Sequence, residues 1–290
     1  MAPFGQHLVA GVDGLGTMTL GVEGWAFLVL PKEAADHFEE DAKRILKGTT
    51  LKAFHGKDYK RRFREAYRDF LALVHDGCRR ADCSVMACVL LDSSLLSDFR
   101  RFCHNVIDGA LTLNHIAGGD FAKTAEHVAP ALFSLIRHTA NCACSEIEVV
   151  FDLHSATEGL PERILEGGER SIGAASVIRI AYNEYNKLHF PSSPRMTRNG
   201  LRFARDEESF LIQAADIFGN FSTAAVKRRL GKKSSTILEK ATLFEDVFGD
   251  LLAKSDLSEM ALIGDDLILR HGGALALVIK HNPLPQNGHE

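Results

Sequence analysis

The chain has 290 residues, 46% of them hydrophobic and 25% charged, the make-up of a globular protein long enough to bury a full core. A net charge of −4 gives no global argument for nucleic acid or an anionic membrane, so any basic surface must be local. No apolar run reaches the length of a membrane span and no basic-then-apolar leader opens the chain, so the expectation is a cytoplasmic protein without a membrane partner. The six cysteines (Cys78, Cys83, Cys88, Cys103, Cys142 and Cys144) lack the paired C-x-x-C spacing of a zinc site. They read as reduced, mostly buried thiols.

"HLVAGVD" (7–13) predicts a strand, "GLG" (14–16) a turn and "TMTLGVEGWAFLVL" (17–30) a second extended segment, together a twisted hairpin. "PKEAADHFEEDAKRILKG" (31–48) opens on Pro, carries acid early and base late, and closes on Gly, which predicts a helix. A second helix is expected over 56–74, with Phe63, Tyr67, Phe70 and Val74 on its apolar face. "CSVMACVLL" (83–91) reads as a buried strand, and helices follow at about 94–107 and 120–139.

"SEIEVVFDLHS" (145–155) alternates as a strand, with Ile147, Val149, Phe151 and Leu153 on one face and Glu146, Glu148, Asp152 and His154 on the other. "ASVIRIAY" (175–182) is expected to be a further strand, and "NEYNKLHFPSSPRMTRNG" (183–200) a loop or hairpin excursion. A long helix over 208–229, a helix over 236–254 and two strands, "MALIGDDLIL" and "ALALVIKHN", complete the chain. Strands first, then helices alternating with strands, predict an α/β fold: a mixed sheet covered by helices.

The helix "ESFLIQAADIFGNFSTAAVKRR" poses the functional question. Ser209, Gln213, Asp216 and Asn220 fall at steps of four, three and four and form one stripe amid Phe210, Leu211, Ala214, Ile217, Phe218 and Phe221. The stripe either faces solvent or holds fixed hydrogen bonds or a ligand; its short side chains suit the second use. Asp13 and Asp152 each follow a strand-like run, where an aspartate caps the next turn or, in open α/β sheets, builds a site. Two such aspartates with a helix aspartate are what metal-dependent phosphoryl chemistry needs: hard Mg²⁺ or Mn²⁺ ions prefer oxygen ligands.

"LIQAADIFGNFSTAAVKRR", with the first-strand Asp of "VAGVDGLG…WAFLVL", the "HG" of "AFHGKDY" and the strand-end Asp of "EVVFD", resembles the bacterial domain-of-unknown-function family numbered 3800. That resemblance implies a ribonuclease H-like domain over 1–235, with 236–290 as a C-terminal α+β extension packed on it. It implies an acidic cluster of Asp13, Asp152 and Asp216 as catalytic residues and metal ligands, Gln213 orienting a ligand, and His55 near the site. Gly14 departs from the family, which commonly has Glu there; Glu23 or His154 is a candidate substitute, and His154 a candidate for metal binding or proton transfer.

Lys57, Lys60, Arg61 and Arg64 in the second helix, and Lys227 and Arg228 after the stripe, are candidate nucleic-acid contacts or else solvated faces. The function so implied is a divalent-metal-dependent nuclease or phosphodiesterase. A catalytically degenerate scaffold binding nucleic acid or protein, or an actin-like or sugar-kinase-like ATP-binding protein read from "GVDGLGTMT", are the alternatives. The extension after 235 would serve as a homodimer surface or cover a sheet edge.

Overall fold

The computed structural model describes residues 6–17, 22–80, 84–114, 121–139, 144–153, 174–229, 231–252, 257–258, 260–263, 266–269 and 274–281. The hairpin is β1 (Gln6–Thr17) and β2 (Val22–Pro31), paired antiparallel from Leu8 with Pro31 to Thr17 with Val22. Residues 14–16, expected to turn, instead continue β1, because Gly14, Leu15 and Gly16 find partners in Trp25, Gly24 and Glu23.

Next come α1 (Lys32–Lys47), a 3₁₀ turn (Arg61–Phe63), α2 (Arg64–Arg80), β3 (Ser84–Asp92), α3 (Ser93–Leu113), α4 (Phe121–Thr139) and β4 (Cys144–Asp152). The second helix starts later than expected, so residues 56–60 form a loop, not a first turn. Its buried face is Tyr67, Phe70, Leu71, Val74 and Cys78, the helical spacing read from the sequence.

The expected strand at 175–182 is a correction: it lies inside α5 (Ala174–His189). β-branched residues suggested extension, but Val177, Ile178, Ala181, Tyr182 and Tyr185 are the buried ones, and steps of one, three, one and three are helical. Part of the segment read as a loop is β5 (Arg195–Ala204), whose sequence "RMTRNGLRFA" is polar because β5 closes one end of the sheet. A second 3₁₀ turn (Asp206–Glu208), α6 (Phe210–Arg229) and α7 (Ser235–Leu252) follow.

"MALIGDDLIL" is also a correction: it is two short strands, β7 (Met260–Ile263) and β8 (Asp266–Leu269), paired as a separate hairpin. β6 (Leu257–Ser258) and β9 (Ala274–His281) join the main sheet, whose order is β5-β4-β1-β2-β3-β9-β6. β1, β4 and β5 run parallel, and the remaining pairings are antiparallel. β9 pairs along β3 from Ser84 to Leu91, so the extension covers that edge.

Helices cover both faces. Leu8, Ala10 and Val12 of β1 and Ile147, Val149 and Phe151 of β4 meet α3, α4 and α5 on one face. Val9 and Leu15 of β1 meet α1, α2, α6 and α7 on the other. Period-two alternation therefore turns Asp13 towards α6, and Asp152 away from the α3–α5 core. Gly11 lets α6 lie directly on β1, since a Cβ there would sit 2.3 Å from the Leu211 carbonyl carbon. Among the described residues, no helix is long and apolar enough to cross a membrane.

Candidate active site

Register brings the carboxylates together. Val12 pairs with Phe151 and Asp152 with Ala204, so Asp13, just past the end of the β1–β4 pairing, meets Asp152 at the end of β4 and the turn after β5. Asp13, Asp152, Asp206 and Asp216 all line one cavity of about 330 Å³. Asp206 was not anticipated from the sequence. It opens the 3₁₀ turn after β5, and reading residues 183–200 as a loop hid the strand end that would have marked it.

The polar stripe of α6 does not face solvent. Ser209 and Gln213 are each 1% exposed and the Asp216 side chain 14%. Gln213 Oε1 accepts a hydrogen bond from the Phe54 N–H at 2.9 Å, while its Nε2 donates to the Asp206 carbonyl at 2.8 Å. One buried amide thus ties the loop before α2 to the turn after β5; it grips backbone on both sides. Asp216 Oδ2 accepts from the Gly56 N–H at 2.8 Å, and Tyr67 donates its hydroxyl to the His55 carbonyl at 2.8 Å. Lys240 of α7 donates to the Gly56 carbonyl at 2.6 Å and to Asn220 Oδ1 at 2.7 Å. Gly56 has to be glycine: a Cβ would lie 2.3 Å from that of Asn220. Residues 54–56 are therefore held from α2, α6 and α7 together.

That loop delivers His55 to the carboxylates. His55 Nδ1 is 2.8 Å from Asp206 Oδ2 and 3.9 Å from Asp216 Oδ2. The hydrogen bond with Asp206 raises the His55 pKa, and the same bond holds the Asp206 carboxyl well below the usual carboxylate range. Asp216 goes the other way: burial, helped by the Asp206 charge, pushes it up to about 6 against the pull of the Gly56 N–H. The neighbouring Asp152 carboxyl also helps to hold the Asp206 carboxyl low.

His55, Asp206 and Asp216 offer ligand atoms within 4.8 Å of one another, a donor set that fits a divalent cation. Asp13 and Asp152 stand outside that tight group but face the same cavity. Gly14 lines the cavity without a side chain, and Glu23 is engaged by Arg100 at 3.2 Å and does not line it. His154 lies outside the described residues.

The candidate basic contacts divide. Lys57 and Lys227 line the cavity, and burial lowers the Lys227 pKa. Arg61, Arg64 and Arg228 instead meet Glu239, Asp246 and Glu245 of α7 at 3.7, 3.8 and 3.0 Å. Lys60 is exposed. The four described cysteines are buried free thiols, and burial pushes Cys78 and Cys88 up to about 12 and about 11, far from nucleophilic use. No protein-family model, no curated protein and no solved structure matches the chain, so the argument for its function is carried by the geometry of this cavity.

Proposed function

We propose that the chain is a ribonuclease H-like hydrolase that cleaves a phosphodiester of the nucleic-acid kind with Mg²⁺ or Mn²⁺ at the aspartate cavity. The observation that carries the reading is the convergence of Asp13 in β1, Asp152 at the end of β4, Asp206 in the turn after β5 and Asp216 of α6 on a single cavity. A mixed sheet with acids on its first strand, a later strand and a long C-terminal helix is also what the family resemblance implies. In this reading Asp206 supplies the carboxylate that Gly14 does not.

Asp206 and Asp216 would hold the ion, with Asp13 and Asp152 as further oxygen donors. What a divalent ion supplies there is Lewis-acid charge and a water that ionises near neutral pH. The protein's part is to hold and move protons. His55, oriented by Asp206, would be the proton donor, since its contact with Asp206 raises its pKa and favours the protonated form. As water attacks phosphorus and the bond to the leaving oxygen breaks, His55 gives its proton to that oxygen. The proton of the attacking water passes to a cavity carboxylate, so no covalent enzyme intermediate forms. Gln213, Tyr67 and Lys240 act through the loop they hold and are positioning residues.

The reading is tested by assaying the full chain against a chromogenic phosphodiester and an oligonucleotide with Mn²⁺, Mg²⁺ or chelator. Metal-dependent hydrolysis that Asp206→Asn reduces at least about a hundredfold is expected, since even residues supporting a metal ligand cost up to that much. Metal binding without hydrolysis of either substrate would favour the degenerate-scaffold alternative.

A further inference from the structure

The same cavity has a basic wall, and resting on the hydrolase reading it says what substrate fits. Lys57 from the loop, Lys227 on α6 and Lys240 on α7 line it beside the four aspartates. Lys240 spends two of its three donors on Gly56 and Asn220. Among the described residues, no carboxylate stands within ion-pair distance of Lys227, whose pKa burial lowers. Burial lowers the Lys240 pKa too, and the Lys227 charge adds to that while Asp216 and Asp58 favour the charged form. Lys227 is thus the cation of this wall that an incoming anion would pair.

Charge balance points the same way. Three lysines and a protonated His55 against four aspartates leave the site without net charge. A bound divalent cation makes it net positive, the complement of an anionic phosphate group. Outside the cavity the pattern changes. Arg61, Arg64 and Arg228 each face a carboxylate of α7, which leaves less free positive charge on this flank. A protein that follows a nucleic-acid backbone needs a continuous cationic track, with several phosphates neutralised at once.

We propose that Lys57, Lys227 and Lys240 receive one phosphate group, so the substrate is an isolated phosphodiester of dinucleotide size and not the interior of a long strand. The cavity volume of about 330 Å³, near the lower end for ligand sites, suits that size.

The test uses the full chain loaded with Mn²⁺ and two slow-reacting phosphorothioate probes, a dinucleotide and a single strand of about 20 nucleotides, titrated at several salt concentrations. The proposal expects affinities within about tenfold of each other and a salt slope near −0.7, the value for one phosphate of a single strand. Lys227→Ala should weaken dinucleotide binding about tenfold and Lys227→Arg restore it, while Mn²⁺ binding alone stays unchanged. A long strand bound more than about a hundredfold tighter with a slope steeper than about −3 would overturn the proposal. So would absence of dinucleotide binding by the Mn²⁺-loaded chain, or a Lys227→Ala variant that binds it as the parent does. Mn²⁺ titrated without nucleotide separates the two readings: metal binding with no dinucleotide binding overturns the substrate assignment alone, and dinucleotide binding with no metal binding overturns the hydrolase.

Discussion

The two faces of the sheet are built to different rules. On the α3–α5 face the core is a continuous apolar layer in which Phe133 stacks on Tyr185 at 4.8 Å. Among its buried polar side chains, Thr139 bonds a carbonyl of its own helix and Asn186 one of the turn just after its helix. On the α6 face the core is equally apolar beneath α2 and α7, yet every buried acidic or basic side chain among the described residues, Asp13, Asp152, His75 and Lys240, lies on this side. A fold gains nothing from burying charge that hydrocarbon could replace. In the proposed reading, the α3–α5 face is there for stability, while the α6 face gives up some stability to hold a site.

Substitutions on the two faces should therefore separate stability from ligand binding. Phe133→Ala, in the apolar layer, should cost about 3–5 kcal/mol by chemical denaturation while Mn²⁺ affinity of the folded protein stays the same. A matching loss of affinity would mean that the faces are coupled. Gln213→Leu keeps the volume but strips the Phe54 N–H and the Asp206 carbonyl of their partner. It should cost about 1–3 kcal/mol, less than Phe133→Ala, and yet weaken Mn²⁺ binding about tenfold or more because His55 and Asp206 lose their common brace. Calorimetric titration of the variant that returned the parent affinity would reduce Gln213 to a core residue.

The smallest effect is in pH. Asp216 must lose a proton with a pKa of about 6 before it can bind a cation, so Mn²⁺ affinity should rise about tenfold from pH 5 to pH 7.5. Metal-free stability should move the opposite way. Both Asp216 and His55 have raised pKa values in the fold, so their contribution is present at low pH and lost as pH rises through about 6 and beyond. Asp206, held low, contributes fully above about pH 4 and loses that contribution only on acidification below it, outside this range. Thermal unfolding from pH 4.5 to 7.5 with chelator present reads this slope directly.

Much of this was legible in the sequence where period and composition agreed. The stripe Ser209, Gln213, Asp216 and Asn220 stood out because short polar side chains on an otherwise apolar helix are expensive, and the structure gives Gln213, Asp216 and Asn220 fixed partners. Asp13 and Asp152 were marked by position at strand ends. What could not be read was β5, since a terminal strand bonded to one neighbour can be as polar as a loop, and Asp206 was lost with it. α5 was misread because Val177, Ile178 and Ile180 favour strands locally, while burial follows the helical period. The grip of Lys240 on Gly56 spans 184 residues, and no local pattern announces a contact of that range.

The central claim is that the α6 face gives up stability to hold a cation between Asp206 and Asp216. Titration of Mn²⁺ by calorimetry into the parent chain and into Asp216→Asn, with thermal unfolding of both in chelator, tests it most directly. The account predicts saturable binding in the parent, none in the variant, and a variant at least as stable as the parent, because the amide can still accept from Gly56 without carrying a buried charge. A parent that binds no Mn²⁺ at millimolar concentration, or a variant that binds it equally well, would contradict it.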